Sequence, residues 1–302
     1  MPAAHLWARL RRVLIPALAL LGCGATTPVD QSSVPLVWGA PADKAQCPVT
    51  SDAVWAEYPS GEDCIRYFAG GAVDGAERVI IFFRGDRHRL ARRPPEDIPE
   101  NTARHQQAIA DRMTRRYGYP IILVERPGTY GSSGNHLRTR HSAEFLALNV
   151  TLDRLRDRYK IKSFVLYGHS GGATAAAALL TMGRRDIPCA VLTSGAFSLL
   201  ERARYMDARA GETPRTSLAP DVYDPLVHVN GIVRDSSRRI IMIGNERDQI
   251  TPFALQRKFA EAVRKRGHRI VLINHAARGP DFHNLTASVG MRTAASCAGG
   301  KP

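Results

Sequence analysis

The sequence predicts an α/β protein with a mostly parallel central sheet flanked by helices. Two observations support this prediction: short apolar runs rich in β-branched residues recur along the chain, and segments of helical length separate them. Strands spaced in this way form right-handed βαβ units. The chain has 302 residues, 44% hydrophobic and 23% charged, which excludes a mainly disordered, collagen-like or polytopic membrane protein.

The clearest strand is predicted at residues 78–83, because the run RVIIFF fits a strand that is buried on both faces. Turn residues separate two earlier short strands, and helices separate the later ones. In chain order, the other strands are predicted at residues 54–58, 64–68, 121–124, 164–167, 190–193, 240–243 and 270–273.

The helices are predicted from the residues that start and stop them. Gly118 is placed to end the first helix, and Ser142 is a typical N-cap of the second. Thr251 and Pro252 predict the start of a later helix, with the proline at its first position. The predicted helices are residues 101–117, 142–159, 171–182, a segment from this start to residue 266, and 285–296.

The first 22 residues are predicted to be a signal peptide of the lipoprotein type. Three arginines precede an apolar run at residues 13–21, which is too short to span a bilayer. The run leads into Leu-Leu-Gly-Cys, which resembles a bacterial lipobox, where the Gly22–Cys23 bond is cut and Cys23 carries the lipids. The alternative is an ordinary signal peptide with an incidental cysteine. We therefore expect a lipid-anchored protein of the bacterial cell envelope, on its periplasmic or cell-surface face.

The remainder of the chain is predicted to be a linker followed by one folded domain. Residues 26–41 are rich in Pro, Ser and Thr, so we assign residues 23–50 to a linker from the anchor. Residues 51–302 are assigned to the domain, which is long enough to bury a substantial core without help from a metal.

The formal net charge of +14 favours association with anionic surfaces. The arginines are scattered and are not interleaved with aromatic residues, as a groove that binds a nucleic-acid strand would require. We expect no nucleic-acid partner. The expected partners are a small-molecule acyl substrate and, through the lipid anchor, a membrane.

Four cysteines remain beside Cys23, and an even number in an exported protein indicates disulfide bonds. Of the three possible pairings we predict Cys47–Cys64 and Cys189–Cys297. The first pair closes a short loop between two predicted strands, and the last helix can bring Cys297 to the start of the strand that follows Cys189. The alternative is buried free thiols. No C-x-x-C occurs, which argues against a zinc site.

A candidate nucleophile follows the predicted strand at 164–167. The sequence Gly168-His169-Ser170-Gly171-Gly172 is a G-x-S-x-G motif that leads into an alanine-rich helix. The glycines allow a sharp strand-to-helix turn that leaves the Ser170 hydroxyl free, and the helix N-terminus favours negative charge there. The alternative is an incidental turn serine.

A serine nucleophile needs a base, and the base needs an acid that orients it. Asp248 lies in the loop before the helix that Thr251 starts, and we predict it as the acid over its competitor Glu246. For the base we predict His283, which follows a Gly-Pro turn, over His275, which directly follows a strand. The alternative for each histidine is a solvated or core position.

The oxyanion of an acyl-transfer reaction needs two N–H donors. One predicted donor is the backbone amide of Gly171, the residue after the nucleophile. The second should come from the loop after the strand at 78–83, where Gly85 permits a tight turn, and we predict the amide of Asp86.

These residues together resemble the α/β-hydrolase superfamily over roughly residues 54–296. Residues 125–133 look like its acid-x-Pro-Gly-x-Gly-x-Ser stretch, with one extra residue before Gly131. Residues 223–225, 244–252 and 279–283 look most like the catalytic domains of prolyl-oligopeptidase-type hydrolases and related esterases, without their propeller. The resemblance implies an α/β-hydrolase fold, and residues 201–237 leave room for a small helical cap at most.

The function expected from the sequence is that of a secreted, lipid-anchored serine hydrolase that cleaves a carboxylic ester through an acyl-enzyme. No metal and no organic cofactor are expected. One alternative is a peptidase or amidase of the same fold. The other is a non-catalytic protein that binds envelope components through its basic surface.

The lipobox interpretation predicts that Cys23→Ser abolishes lipidation, because serine lacks the thiol that accepts the diacylglyceryl group. The variant should leave the membrane fraction for the soluble fraction, as measured by labelled-palmitate incorporation and fractionation. Incorporation of label by the variant would contradict the interpretation.

Overall fold

An eight-stranded sheet organises the chain, in a computed structural model that describes residues 30–300. Its strand order is β1-β2-β4-β3-β5-β6-β7-β8, and the six strands from β4 to β8 in this order run parallel. The strands are β1 Ala53–Tyr58, β2 Gly61–Gly70, β3 Arg78–Phe83, β4 Ile121–Val124, β5 Ser163–His169, β6 Cys189–Thr193, β7 Arg239–Gly244 and β8 Ile270–Asn274. The predicted mostly parallel α/β class is confirmed.

Helices cover both faces of this sheet. They are α1 Ala103–Tyr117, α2 Ser142–Tyr159, α3 Gly171–Thr181, α4 Leu199–Arg209, α5 Phe253–Lys265 and α6 Val289–Ala298. One core lies between the sheet and α2, α3 and α5, with Phe145, Leu180 and Phe259 among its buried side chains. A second core lies on the opposite face, where α1 and α6 pack through Ala110 and Met291. The apolar strands are therefore buried on both sides, as their continuous hydrophobic runs require.

Several predicted boundaries are wrong because contacts distant in sequence decide them. The last helix begins at Val289, four residues later than predicted, since Leu285 pairs with Ala277 in a small hairpin of β9 Ala277–Arg278 and β10 Asn284–Leu285. β2 extends well beyond its predicted ends because it pairs with β1 on one side and β4 on the other.

Two predicted helix caps are also wrong. Ser142 is the first residue of α2 rather than its N-cap, and its hydroxyl donates to the carbonyl of Asp221. Pro252 occupies the N-cap position of α5, and the hydroxyl of Thr251 lies between the Asp248 carboxylate and the carbonyl of Ser194, at 2.8 and 3.0 Å. Gly118 does end α1 as predicted, in the left-handed conformation with φ of 76°.

The compact unit that contains the sheet begins at Ser32. Residues 32–50, which the sequence assigns to a linker, therefore belong to this unit; Leu36 is buried and its amide donates to the carbonyl of Asn101. The predicted signal peptide and Cys23 lie outside the described residues. Within residues 30–300, no helix has the length and apolar character that crossing a membrane requires.

Both predicted disulfide pairings are present in the structure. Cys47–Cys64 ties the segment before β1 to β2, and Cys189–Cys297 ties the first residue of β6 to α6. Residues 201–237, which leave room for a small cap at most, contain most of α4 and one short 3₁₀ turn at Val229–Gly231. The buried Asp224 carboxylate accepts the amide of Leu199 at 2.8 Å and so satisfies the N-terminus of α4.

The two disulfides should differ in their contribution to stability because they close loops of different length. The sequence separations are 17 residues for Cys47–Cys64 and 108 for Cys189–Cys297. Loop-closure entropy predicts losses of about 3 and about 4–5 kcal/mol in the free energy of unfolding when each pair is replaced by serines. Urea titrations of the two double variants, followed by circular dichroism, measure both values. A larger loss for the Cys47–Cys64 pair would contradict the entropic explanation.

Candidate active site

Ser170 lies at a strained turn between β5 and α3. Its φ of 54° and ψ of −122° are unusual for a residue with a side chain. The flanking glycines have no room for a Cβ: at Gly168 it would lie 2.3 Å from the carbonyl oxygen of Gly172, and at Gly172 it would lie 2.1 Å from that of Phe83. The predicted sharp turn is therefore held by backbone packed directly against backbone.

The loop after β3 lies against this turn. A Cβ built on Gly85 would be 3.1 Å from the Cβ of Ser170. In the described part of the chain, the amides of Asp86 and Gly171 donate to no protein acceptor. Both amides belong to segments that contact the serine, which is the arrangement that the predicted oxyanion role requires.

Asp248 and His283 form a hydrogen-bonded pair at the same end of the sheet. His283 Nδ1 lies 2.9 Å from Oδ2 and 3.1 Å from Oδ1 of Asp248. The Asp248 carboxylate also accepts the amides of Ile250 and Thr251, at 2.8 and 2.9 Å, and the Thr251 hydroxyl at 2.8 Å. Its side chain has no solvent exposure. Because these donors fix the carboxylate, it can hold the imidazole in one orientation.

The end of β6 joins the serine to the histidine. The amide of Ser170 donates to the carbonyl of Thr193 at 2.9 Å. The hydroxyl of Ser194 donates to the carbonyl of His283 at 2.9 Å, and the Ser194 carbonyl lies 3.0 Å from the hydroxyl oxygen of Thr251. Ser194 has a φ of 45°, so this junction is also strained. The candidate nucleophile and the candidate base are therefore hydrogen-bonded to two consecutive residues, Thr193 and Ser194. Thr251, which contacts the candidate acid, lies against the second of them.

The competing candidates lie elsewhere. Glu246 is exposed, and its amide donates to the side chain of Asn274. His275 follows β8 at the edge of the sheet, its amide donates to the carbonyl of Gly244, and its Nδ1 lies 3.0 Å from the carbonyl of Ala276. Neither side chain hydrogen-bonds to Asp248 or Ser170 within residues 30–300.

The chain is similar to known proteins in its three-dimensional structure. No protein-family model matches the sequence, and no curated protein matches it. Solved structures do: the esterase Pf2001 of Pyrococcus furiosus matches over 87% of this chain and 96% of its own, with 16% identity and a TM-score of 0.54. Est1E from Butyrivibrio proteoclasticus matches over 82% and 97%, with 11% identity and a TM-score of 0.53.

An acylaminoacyl peptidase of Pyrococcus horikoshii also matches, over 82% of this chain but only 39% of its own, with 14% identity and a TM-score of 0.52. Because all of these identities are low, the matches show the fold alone. The chain has the α/β-hydrolase fold.

A histidine to which the sequence assigns no role lies beside the candidate base of this α/β-hydrolase fold. The ring centroids of His169 and His283 are 5.2 Å apart. Burial, and then the neighbouring His283, lower the pKa of His169 to about 4, so this imidazole is neutral at pH 7. The feature of the sequence that could have indicated this position is that His169 directly precedes Ser170 in the G-x-S-x-G motif.

The side chain of Asp86 forms ion pairs that the sequence did not predict. Its carboxylate lies 2.7 Å from Nη1 of Arg126 and also pairs with Arg140. A Cβ at Gly171 would be 1.9 Å from Oδ1 of Asp86, so the carboxylate packs against the residue after the nucleophile. Burial raises the pKa of Asp86, but Arg140 and Arg126 outweigh burial and hold that pKa well below its usual range.

Asp86, His88 and His136 lie close enough together to share a metal ion. Their existing bonds do not fit that role. The Asp86 carboxylate is neutralised by two arginines, and Nε2 of His136 accepts the amide of Arg87 at 2.9 Å. Burial lowers the pKa of His136 to about 3, which agrees with a neutral ring that accepts this hydrogen bond. Each of the three side chains therefore already bonds to protein groups.

The Asp86 pairing generates a prediction about stability and pH. Asp86→Asn should lower the free energy of unfolding by about 3–5 kcal/mol at pH 7, because it leaves Arg126 and Arg140 without their shared counter-charge. A carboxyl with a depressed pKa stabilises the fold above its unfolded pKa of about 4, and that contribution is lost as pH falls towards the folded value.

The difference between wild type and Asp86→Asn should therefore shrink below about pH 4. Urea titrations across pH measure it, with Glu246→Gln as an exposed control that should show almost no difference. A gap that stays constant from pH 7 to about pH 3 would contradict the charge-pairing explanation.

Proposed function

We propose that this chain is a serine hydrolase that cleaves a carboxylic ester through a Ser170–His283–Asp248 triad and an acyl-enzyme. The observation that carries the proposal is the buried Asp248–His283 pair, joined through the Thr193–Ser194 backbone to a serine in a strained turn. The esterases of similar fold support a hydrolase reaction. The basis for the individual roles is the geometry of this chain alone.

The pairing of His283 sets the direction of proton transfer. Because Nδ1 donates its hydrogen to the Asp248 carboxylate, the other ring nitrogen, Nε2, carries the lone pair that acts as base. Nε2 takes the proton of Ser170 as the serine oxygen bonds to the acyl carbon. The carbonyl electrons move to an oxyanion that accepts the amides of Gly171 and Asp86.

Collapse of this intermediate breaks the bond to the alcohol, which receives the proton from Nε2 of His283. Water then attacks the acyl-enzyme, with His283 again taking and returning one proton. The products are a carboxylic acid, an alcohol and the regenerated serine. The neutral His169 adds no charge beside the imidazolium that forms in each half-reaction.

An ester substrate is proposed over a peptide. The matched peptidase has more than half of its chain outside the region that resembles this one, whereas both esterases match over almost their whole length. A non-catalytic role in binding envelope components is the alternative of another class, and absence of covalent probe labelling in the wild type would favour it.

We also propose that the enzyme acts in the bacterial cell envelope, held by lipids on Cys23. The Leu-Leu-Gly-Cys sequence after a basic, apolar leader supports this proposal. Two disulfides in the folded unit agree with an oxidising compartment.

The triad proposal predicts a specific pattern of variants. A fluorophosphonate probe should label the wild type and not Ser170→Ala. His283→Ala should lower kcat for a p-nitrophenyl ester by about 10⁴-fold or more, because the serine loses its base. His275→Ala should cost at most about tenfold, since that side chain lies away from Asp248.

The double variant Ser170→Ala/His283→Ala should be no worse than the worse single variant, because the triad acts as a unit. Circular dichroism confirms that each variant is folded. A larger loss for His275→Ala than for His283→Ala would move the base to His275, and labelling of folded Ser170→Ala would exclude Ser170 as the nucleophile.

A further inference from the structure

Three arginine side chains lie close to the candidate site, and they differ in their partners. Arg126 pairs with Asp86 and Glu144, at 2.7 and 2.6 Å, and Arg140 pairs with Asp86. The third, Arg202 on α4, has no ion-pair partner among the described residues. Its charged neighbours are Arg140, Asp86 and Asp248.

Arg202 is held in a defined orientation beside the triad. Its Nε donates to the carbonyl of Ile250 at 2.8 Å, and the amide of Ile250 donates to the Asp248 carboxylate at 2.8 Å. The bond at Nε fixes the plane of the guanidinium. Within residues 30–300, the N–H groups on its two terminal nitrogens have no protein acceptor. These two nitrogens are therefore free to donate to a ligand.

This arrangement is costly for a structural residue. Arg202 is half-buried, and burial lowers its pKa to about 10, so the group is still charged at pH 7. A partly buried charge that forms no direct ion pair is costly to remove from water. Two buried donors of the neighbouring arginines also have no hydrogen-bond acceptor, namely Nε of Arg140 and Nη2 of Arg126. The site thus has more cationic donors than its own carboxylates satisfy.

We propose that Arg202 binds a carboxylate carried by the ester substrate. The planar fork of a guanidinium matches the two oxygens of a carboxylate, and hydrogen bonds between charged partners are the stronger ones. The inference rests on the proposed hydrolase function and adds a substrate class to it: esters in which the acyl part or the alcohol part carries a negative charge.

Two pairs of substrates test the acyl and alcohol positions separately. Mono-4-nitrophenyl adipate and 4-nitrophenyl hexanoate have the same acyl length and differ in a terminal carboxylate. 4-Acetoxybenzoate and its methyl ester differ in a carboxylate on the alcohol part. For each pair, the measured quantity is the ratio of kcat/KM for the charged substrate to that for the neutral one.

Arg202→Gln should lower this ratio by about tenfold to a hundredfold in at least one pair, which corresponds to losing one charge-assisted hydrogen-bonding contact. The loss should appear mainly in KM, because the carboxylate is bound equally in the ground and transition states. Comparing variant with wild type cancels the intrinsic reactivities of the esters. Arg202→Lys keeps the charge and should retain part of the ratio.

Arg115→Gln is the matched control. Arg115 is an exposed arginine in the last turn of α1, which leads into the start of β4, whereas Ser170 follows the end of β5. The control removes the same unit of charge and should leave both ratios unchanged. If Arg202 only anchors the Asp248 loop, Arg202→Gln will slow charged and neutral substrates equally, and that result overturns the inference.

Product inhibition gives a second readout on the same proteins. With 4-nitrophenyl hexanoate as the neutral substrate, adipate or 4-hydroxybenzoate should inhibit the wild type competitively, and Arg202→Gln should raise the inhibition constant. Hydrolysis of neutral esters with neither this inhibition nor a change in the ratios overturns the carboxylate proposal and leaves the hydrolase intact. Absence of hydrolysis together with absence of fluorophosphonate labelling would instead overturn the proposed function.

Discussion

The turn at Ser170 depends on backbone atoms that approach one another without intervening side chains. Gly168 contacts Gly172, and Gly172 contacts the end of β3, so β3, β5 and α3 meet at one point. Any Cβ there would force these elements apart. The strained φ and ψ of the serine persist because this close packing on both sides leaves no relaxed alternative. Gly85 of the Asp86 loop lies against the same turn, and the carbonyl of Thr193 accepts the amide of Ser170.

Two carboxylates lie near this turn, and their surroundings differ. The Asp248 carboxylate is fully buried and satisfied by backbone amides, a hydroxyl and one imidazole. The Asp86 carboxylate, against Gly171, is instead paired with arginines. The first arrangement preserves the negative charge that the proposed base would need, and the second cancels a negative charge close to where the proposed oxyanion would form.

Local patterns were sufficient to predict some of these features. The serine turn, its strand and its helix lie within a few residues of one another, and the acid and base candidates each follow a strand of clear apolar pattern. The side-chain role of Asp86 could not be predicted, since its partner Arg140 is 54 residues away. The start of α6 was predicted wrongly for a similar reason: Leu285 has a sequence compatible with helix, but pairing with Ala277 makes it a strand.

The hairpin that carries His283 has a consequence for thermal inactivation. β9 and β10 contribute only two residues each and form a ladder separate from the eight-stranded sheet. The loop between them is fastened by the Asp248 contact and by Ser194. Small units with few buried contacts open at lower free-energy cost than the core. Heating should therefore release His283 from Asp248 in a sub-global opening, and the proposed hydrolase activity would be lost below the temperature at which the main sheet melts.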